Sequence, residues 1–183
     1  FETVSAKEQT DLSKFYGFHQ VLRELFPNLF AICTFEDFDG SILLHWKGAS
    51  AEKPILLMNH MDVVEANGEW TYPPFSGTIA DGKLWGRGTL DTKGGLWAML
   101  QAADELAKDG FMPAQDTYFL STCCEETTGA GADKISLALQ ERGIRLAMVL
   151  DEGGMILEAP IAGAKGLYAM VGVVEKGYAD VKF

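Results

Sequence analysis

The sequence predicts an α/β protein of three layers, in which helices cover both faces of a mostly parallel, twisted sheet. Strand-like apolar runs alternate with segments of helical periodicity through most of the chain, and this order is typical of parallel sheets. One run, PILLMNH, is continuously apolar until its end, as expected of a strand buried on both faces. At 183 residues, of which 48% are hydrophobic, the chain is long enough for a substantial core.

The first elements are a helix and a hairpin. From Ser5 to Phe26 apolar residues recur every three or four positions, which predicts an amphipathic helix that ends at Pro27. Two β-like runs follow, AICTFEDF and SILLHW, with Asp39 and Gly40 between them. An Asp-Gly pair between apolar runs predicts a β-hairpin.

The middle of the chain continues with loops and then with alternating helices and strands. Residues 65 to 90 are rich in Gly, Pro and Trp and predict loops around a short hairpin. The elements predicted after them are a helix from Thr92 to Lys108 stopped by Gly110, the strand DTYFLSTCC, a helix from Ala132 to Arg142 closed by Gly143, and the strand LAMVLD.

The last part of the chain predicts one further strand, GLYAMVGVVEKG, and an alternating stretch, YADVKF, that resembles a strand without its partners. We therefore expect the chain to be part of a longer protein. Residues 1–174 are interpreted as one portion of a domain, and residues 175–183 as the start of a connection to another.

Charge and cysteine content exclude several classes of protein. The net charge of −11 argues against a nucleic acid or an anionic membrane as partner, because phosphate binding needs clustered Lys and Arg. No apolar run approaches the roughly 20 residues that span a bilayer. Three cysteines without CxxC spacing argue against a disulfide framework or a structural zinc knot. A soluble, cytoplasmic protein is the expectation.

Polar residues follow three of the predicted strands, and a fourth group precedes a helix. The carboxyl ends of strands in a parallel α/β sheet gather at one edge, where functional groups of such proteins lie. The residues at these positions are His60 and Asp62, the pair Glu125 and Glu126, the pair Asp151 and Glu152, and Asp91 in GRGTLDTKGG.

Each of these signals is weak alone. His60 could be a satisfied histidine at a strand end, two adjacent glutamates are normally solvated, and Asp91 could cap a helix. Their coincidence at one edge favours a metal site. Imidazole and carboxylates without thiolate suit zinc, manganese or cobalt in a hydrolytic role, and two metal ions can share one carboxylate. Asp91 is the natural bridge.

Competing motifs do not fit. GRGTLD has glycines at 86 and 88, but Asp91 stands where a dinucleotide fingerprint has its third glycine, and its charge would repel a pyrophosphate. The sequence contains neither GxxxxGK[ST] nor GxSxG. Arg87 and Lys93 are interpreted as loop-positioning residues that neutralise nearby acids.

Four ordered motifs resemble one known family. NHMDVV, GRGTLDTKGG, CEETTGAGA and VLDEGG are similar to the catalytic domain of the M20 metallopeptidases, the group of glutamate carboxypeptidase, succinyl-diaminopimelate desuccinylase, aminoacylase and carboxypeptidase S. WTYPPFSGTIADGKLWGRGTLDTKGG and VVEKGYADVKF are most similar to the carboxypeptidase S and N-acyl-amino-acid hydrolase branch. The resemblance implies a zinc-exopeptidase-like fold and hydrolysis of a peptide or an N-acyl amino acid.

The resemblance also implies a role for each candidate residue. Glu125 would be the general base that activates a water between two zinc ions, and Asp62 would orient a metal-binding histidine. The metal ligands would be His60, Asp91, Glu126 and Asp151. Cobalt or manganese could replace zinc.

The sequence departs from the family in two places. Thr92 stands where relatives often carry a second acid, which is tolerable because that residue need not bind metal. Relatives also take a last histidine ligand from a segment beyond an inserted lid domain, whereas no histidine follows His60 here. The resemblance thus implies a catalytic domain truncated before the lid, inactive alone and holding at most one tight zinc ion. A full-length protein could dimerise through the lid. The alternative is a non-catalytic metal-binding or interaction module.

Overall fold

The computed structural model describes residues 1–174. The chain forms two compact units, Phe1–Asp151 and Glu152–Phe183, which are described separately. The elements of the first unit are, in chain order, α1 (Ser13–Leu25), α2 (Pro27–Ile32), β1 (Thr34–Phe38), β2 (Ser41–Trp46), β3 (Ser50–His60), β4 (Thr78–Ala80), β5 (Lys83–Trp85), α3 (Lys93–Lys108), β6 (Gln115–Thr122), α4 (Ala130–Glu141) and β7 (Met148–Leu150).

Five strands form the central sheet of the first unit, in the order β1-β2-β6-β3-β7. The pairs β3 with β6 and β3 with β7 are parallel, while β2 runs antiparallel to both β1 and β6. Four of the five strands therefore point the same way, which confirms the predicted α/β class. In the β3–β6 pair, His60 lies opposite Thr122, so the segments that follow these two strands emerge side by side.

Helices cover both faces of this sheet. Alternate residues of each strand point to opposite sides, so each face presents apolar side chains to the helices. On one face, Leu44 and Phe119 pack with α1, α2 and α3 in a cluster that includes Phe15 and Leu96. On the other face, Leu43, Leu56 and Leu120 pack against Ile135 and Leu139 of α4. The predicted three layers are thus confirmed.

The amino-terminal helix is shorter than predicted. It begins at Ser13 rather than Ser5, because the residues before it make main-chain hydrogen bonds with the segment after β3. Ser5 N donates to Val63 O at 3.2 Å, and Val63 N donates to Thr3 O at 3.1 Å. Pro27 ends α1 as predicted but also begins α2, a position where proline is well tolerated. The predicted strand AICTFEDF accordingly loses its first residues to α2.

Other predicted elements are confirmed within a few residues. Asp39 and Gly40 both have positive φ, 52° and 90°, as the tight β1–β2 hairpin requires. The small hairpin β4–β5 turns at Asp81 and Gly82. The helix α3 spans Lys93–Lys108, and α4 begins two residues earlier than predicted and ends at Glu141.

The described part of the second unit is a two-stranded antiparallel hairpin formed by β8 (Met155–Glu158) and β9 (Leu167–Met170). The sequence predicted β9 but not β8. The stretch YADVKF lies outside the described residues, and the predicted domain boundary at residue 174 stays a prediction. Within the described part of the chain, no helix has both the length and the apolar character needed to cross a bilayer.

Candidate metal centre

His60 ends β3 in a buried position, with its side chain 1% exposed. Its Nδ1 lies 2.9 Å from the main-chain carbonyl oxygen of Asp62. A carbonyl oxygen only accepts hydrogen bonds, so this contact places a proton on Nδ1 and directs the Nε2 lone pair the other way. Nε2 then has the protonation state of a metal ligand.

Carboxylate oxygens face this Nε2 atom from two loops. Asp91 Oδ1 lies 3.1 Å away and Glu125 Oε2 lies 3.8 Å away. Asp91 immediately precedes α3, and Glu125 belongs to the turn between β6 and α4. Ligands held about 2.0–2.1 Å from a tetrahedral zinc ion stand roughly 3.3 Å apart, so these separations fit a shared divalent cation.

Glu126 completes a group of three possible metal ligands. One ligand atom from each of His60, Glu125 and Glu126 lies within 4.8 Å of the others. Burial raises the pKa of Glu126, and the nearby carboxylates of Asp91, Glu125 and Asp62 raise it further, while His60 opposes them. Crowded carboxylates of this kind lose their mutual repulsion when a dication lies between them. The donor set therefore fits the metal that the sequence predicts.

Asp62 lies beneath this group and is fully buried. Its Oδ1 accepts a hydrogen bond from Glu125 N and its Oδ2 accepts one from Glu126 N, both at 3.1 Å. Burial alone raises the pKa of Asp62, but the His60 ring, the Ser5 side chain and these two main-chain amides outweigh burial and hold the pKa below its ordinary value. Asp62 is thus a buried carboxylate satisfied by hydrogen bonds.

Asp151 directly follows β7, whose Leu150 pairs with Leu57 of β3. It therefore lies at the same end of the sheet as His60, in keeping with the prediction from strand ends. Asp151 is exposed, and among the described residues it belongs to no group of possible ligand atoms that lie within 4.8 Å of one another. Its role as a ligand stays a prediction.

Arg87 and Lys93 contact loops near the site. Arg87 donates to Glu65 O at 3.1 Å and its guanidinium lies 5.0 Å from the centre of the Trp70 ring. Lys93 Nζ donates to Phe1 O at 2.8 Å. Burial lowers the pKa of Lys93 to about 8, against the opposing charge of Asp62. Both contacts agree with the predicted loop-positioning role.

The cysteines before the glutamates belong to the end of the core. Cys123 is buried in the cluster beneath α1, α2 and α3, and Cys124 Sγ accepts a hydrogen bond from Gly131 N at 3.2 Å. Sequence reasoning missed a different feature, the amino-terminal segment that pairs with Val63 beside Asp62. The first apolar residue of the helical repeat is Leu12, and the residues before it carried no signal of this pairing.

Comparison with known proteins identifies relatives that match most of the chain. The chain is 37% identical to probable carboxypeptidase S-like 2 of Dictyostelium discoideum over 100% of its own length and 37% of that relative. It is 35% identical to N-fatty-acyl-amino acid synthase/hydrolase PM20D1 of Homo sapiens over 94% of its own length and 35% of that protein. The chain therefore spans little more than a third of the length of these curated relatives.

A solved structure shows the same fold. Human carnosine dipeptidase 1 superposes with a TM-score of 0.66, covering 86% of this chain and 37% of the dipeptidase, at 18% sequence identity. The sequence profile of peptidase family M20/M25/M40 matches residues 56–176, a range that contains each of the six predicted site residues. On this match, the chain is a member of peptidase family M20/M25/M40.

Proposed function

We propose that the full-length protein containing this chain is a metal-dependent hydrolase that cleaves an amide bond and releases an amino acid from a peptide or an N-acyl amino acid. The observation that carries the proposal is the position of Glu125, whose carboxylate faces the metal-binding edge of His60 at 3.8 Å. The relatives support the substrate class, because their names describe a carboxypeptidase and an N-fatty-acyl-amino acid hydrolase.

Four side chains would hold the metal. His60 offers Nε2, Asp91 and Glu126 offer carboxylates beside it, and Asp151 offers a carboxylate from the end of β7. We propose that the complete site would take two zinc ions, with cobalt or manganese as substitutes, and that Asp91 would be among the residues that hold them. When bound, such ions supply Lewis-acid activation of the amide carbonyl and of water.

Glu125 then acts as general base and general acid. Its carboxylate takes a proton from water as the water oxygen bonds to the carbonyl carbon, and it returns that proton to the amide nitrogen as the C–N bond breaks. The products are a carboxylic acid and an amine, so atoms and protons balance. Glu125 is suited to this task because its side chain is half exposed, 53%, and can meet both water and substrate.

The test is the activity of the full-length protein on dipeptides and on N-acyl amino acids of short and long acyl chain. Glu125→Gln keeps the size of the side chain but removes the base, so we expect kcat to fall about 10²–10⁴-fold. A chelator should abolish turnover in the unaltered protein. Glu24→Gln, which changes an exposed glutamate of α1, is the matched control and should keep full activity.

Two results would contradict the proposal. Full turnover by Glu125→Gln would exclude this residue as the base. Metal binding that raises the melting temperature without turnover of any substrate in the panel would favour the non-catalytic module.

A further inference from the structure

The His60 ring makes its closer contact with the main chain of residue 62, although the carboxylate of Asp62 also lies beside it. Nδ1 lies 2.9 Å from Asp62 O but 3.4 Å from Asp62 Oδ1. The shorter, hydrogen-bonding contact thus comes from a carbonyl group that every residue at position 62 would possess. This main-chain contact is enough to set the protonation of the ring.

The two oxygens of that carboxylate also bind the main chain of the glutamate pair. Each accepts one N–H group, from Glu125 and from Glu126, at 3.1 Å. These amides lie beyond β6, which ends at Thr122, so the sheet does not provide their partners. The turn continues with Thr128 N and Gly129 N donating to Cys124 O at 3.0 and 2.8 Å. Asp62 is therefore the acceptor that fixes the first half of this turn.

Asp62 itself is held on two sides. Met61 N donates to Thr122 O at 2.8 Å, which ties the segment to the end of β6. On the other side, Val63 N donates to Thr3 O at 3.1 Å, and the Thr3 hydroxyl donates to Met61 O at 2.5 Å. The carboxylate thus projects from a segment that cannot shift without breaking main-chain hydrogen bonds.

We propose that Asp62 is a positioning residue for Glu125 and Glu126, which it holds through their main-chain amides so that both side chains face Nε2 of His60. This inference rests on the proposed function, in which Glu125 is the base and Glu126 a ligand. Two hydrogen bonds to one carboxylate fix the direction of two consecutive peptide groups and hence of both Cα–Cβ bonds. Loss of the carboxylate would leave the histidine in place and free the glutamates.

The test compares Asp62→Asn with Asp116→Asn in the full-length protein. Asparagine has the size of aspartate, but its NH₂ group would face one of the two amides, donor against donor. Asp116 is the matched control, because it is also buried, accepts Gly48 N at 2.8 Å and contacts His45 at 2.9 Å. It stands near the start of β6, at the other end of that strand from Glu125.

For Asp62→Asn we expect kcat to fall about 10–100-fold, the usual effect of losing a group that orients a metal-site residue. KM and the affinity for the first Zn²⁺ ion, measured by titration of the metal-free protein, should stay close to those of the unaltered protein. In the metal-free protein, hydrogen exchange at the amides of Glu125 and Glu126 should become faster. Asp116→Asn should change none of these quantities.

The opposite pattern would overturn the inference. If Asp62→Asn loses affinity for the first Zn²⁺ ion while exchange at Glu125 and Glu126 is unchanged, the carboxylate serves His60 instead. If Asp62→Asn does not fold, hydrogen exchange is measured in the unaltered protein. Exchange at the amides of Glu125 and Glu126 as fast as in an unstructured peptide would also contradict the inference. Exchange and metal titration do not depend on turnover, so failure of the proposed function would be seen separately.

Discussion

Two histidine–aspartate pairs lie at opposite ends of the central sheet and have different surroundings. At the carboxyl end of β3, the carboxylates of Asp62, Asp91 and Glu125 all lie within 4 Å of the His60 ring nitrogens. Toward the other end, His45 of β2 lies 2.9 Å from Asp116 of β6 and stacks on Tyr118 with ring centres 4.5 Å apart. Both aspartates are buried and both accept main-chain N–H groups.

The balance of charge separates the two pairs. Around His60 the additional groups are carboxylates, and the pKa of Glu126 is raised first by burial and then by the neighbouring carboxylates. Around His45 the next charges are Glu36 and Arg142, which neutralise each other in a two-bond ion pair at 2.7 and 2.6 Å. A histidine–aspartate pair thus needs no bound cation where the surrounding charges neutralise each other. Where carboxylates are in excess, a bound cation offsets their repulsion.

The sharpest test of this contrast is metal-induced stabilisation. Zn²⁺ at 100 times its Kd should stabilise the unaltered chain by about 2.7 kcal/mol, a rise in melting temperature of roughly 5–10 °C for a protein of this size. His60→Ala should abolish that rise, because it removes the only imidazole of the site. His45→Ala should lower the starting melting temperature but keep the rise. Calorimetry with and without Zn²⁺ measures both.

An equal rise in melting temperature for His60→Ala and His45→Ala on addition of Zn²⁺ would contradict the proposed difference between the two pairs. If His60→Ala still gains the full stabilisation, the ion binds elsewhere. If His45→Ala loses it, then the pair at the start of β6 is not merely structural.

A smaller effect is expected at Asp116. Replacement by Asn disturbs the hydrogen bonds to Gly48 N and His45 and should reduce the free energy of unfolding by about 1–3 kcal/mol, the range for a buried polar group that loses its partner. Denaturant titration gives this value. The stabilisation by Zn²⁺ should be the same as in the unaltered chain, and a loss of metal affinity would link the two ends of the sheet.

The smallest effect is expected at the ion pair beside His45. Arg142→Ala removes both hydrogen bonds to Glu36, but the side chains are 42% and 31% exposed, so solvent screens the pair. A coupling free energy of about 0.2–1 kcal/mol is expected. A double-mutant cycle with Glu36→Gln isolates the coupling, and a value of several kcal/mol would mean that charge balance there carries much of the fold's stability.

The sequence predicted most of the fold where patterns are local. The periodicity of α3 and the Asp-Gly turn between β1 and β2 placed those elements within a residue or two. The start of α1 was wrong because Thr3 and Ser5 pair with Val63, nearly 60 residues away, and local periodicity carries no information on such a contact. The strand β8 was missed for a similar reason, since four residues between glycines and a loop give little pattern.

The site was predictable to the extent that topology alone brings residues together. Parallel pairing of β3 with β6 places His60 beside the segment after Thr122, as the rule for strand ends implies. The separate roles of the main-chain carbonyl and the side-chain carboxylate of Asp62 were not predictable in this way. Which carbonyl meets His60 Nδ1, and which amides meet the carboxylate, depend on the conformation of a turn, and turn conformation is set by many non-local contacts.

The edge strand β7 has a consequence for the behaviour of this chain in concentrated solution. Its residues Met148, Val149 and Leu150 are each about half exposed, and β3 is its one neighbour in the described sheet. Free main-chain groups beside exposed apolar side chains form a template for another strand. A chain in which β7 stays at the edge of the sheet is therefore expected to self-associate edge to edge as its concentration rises.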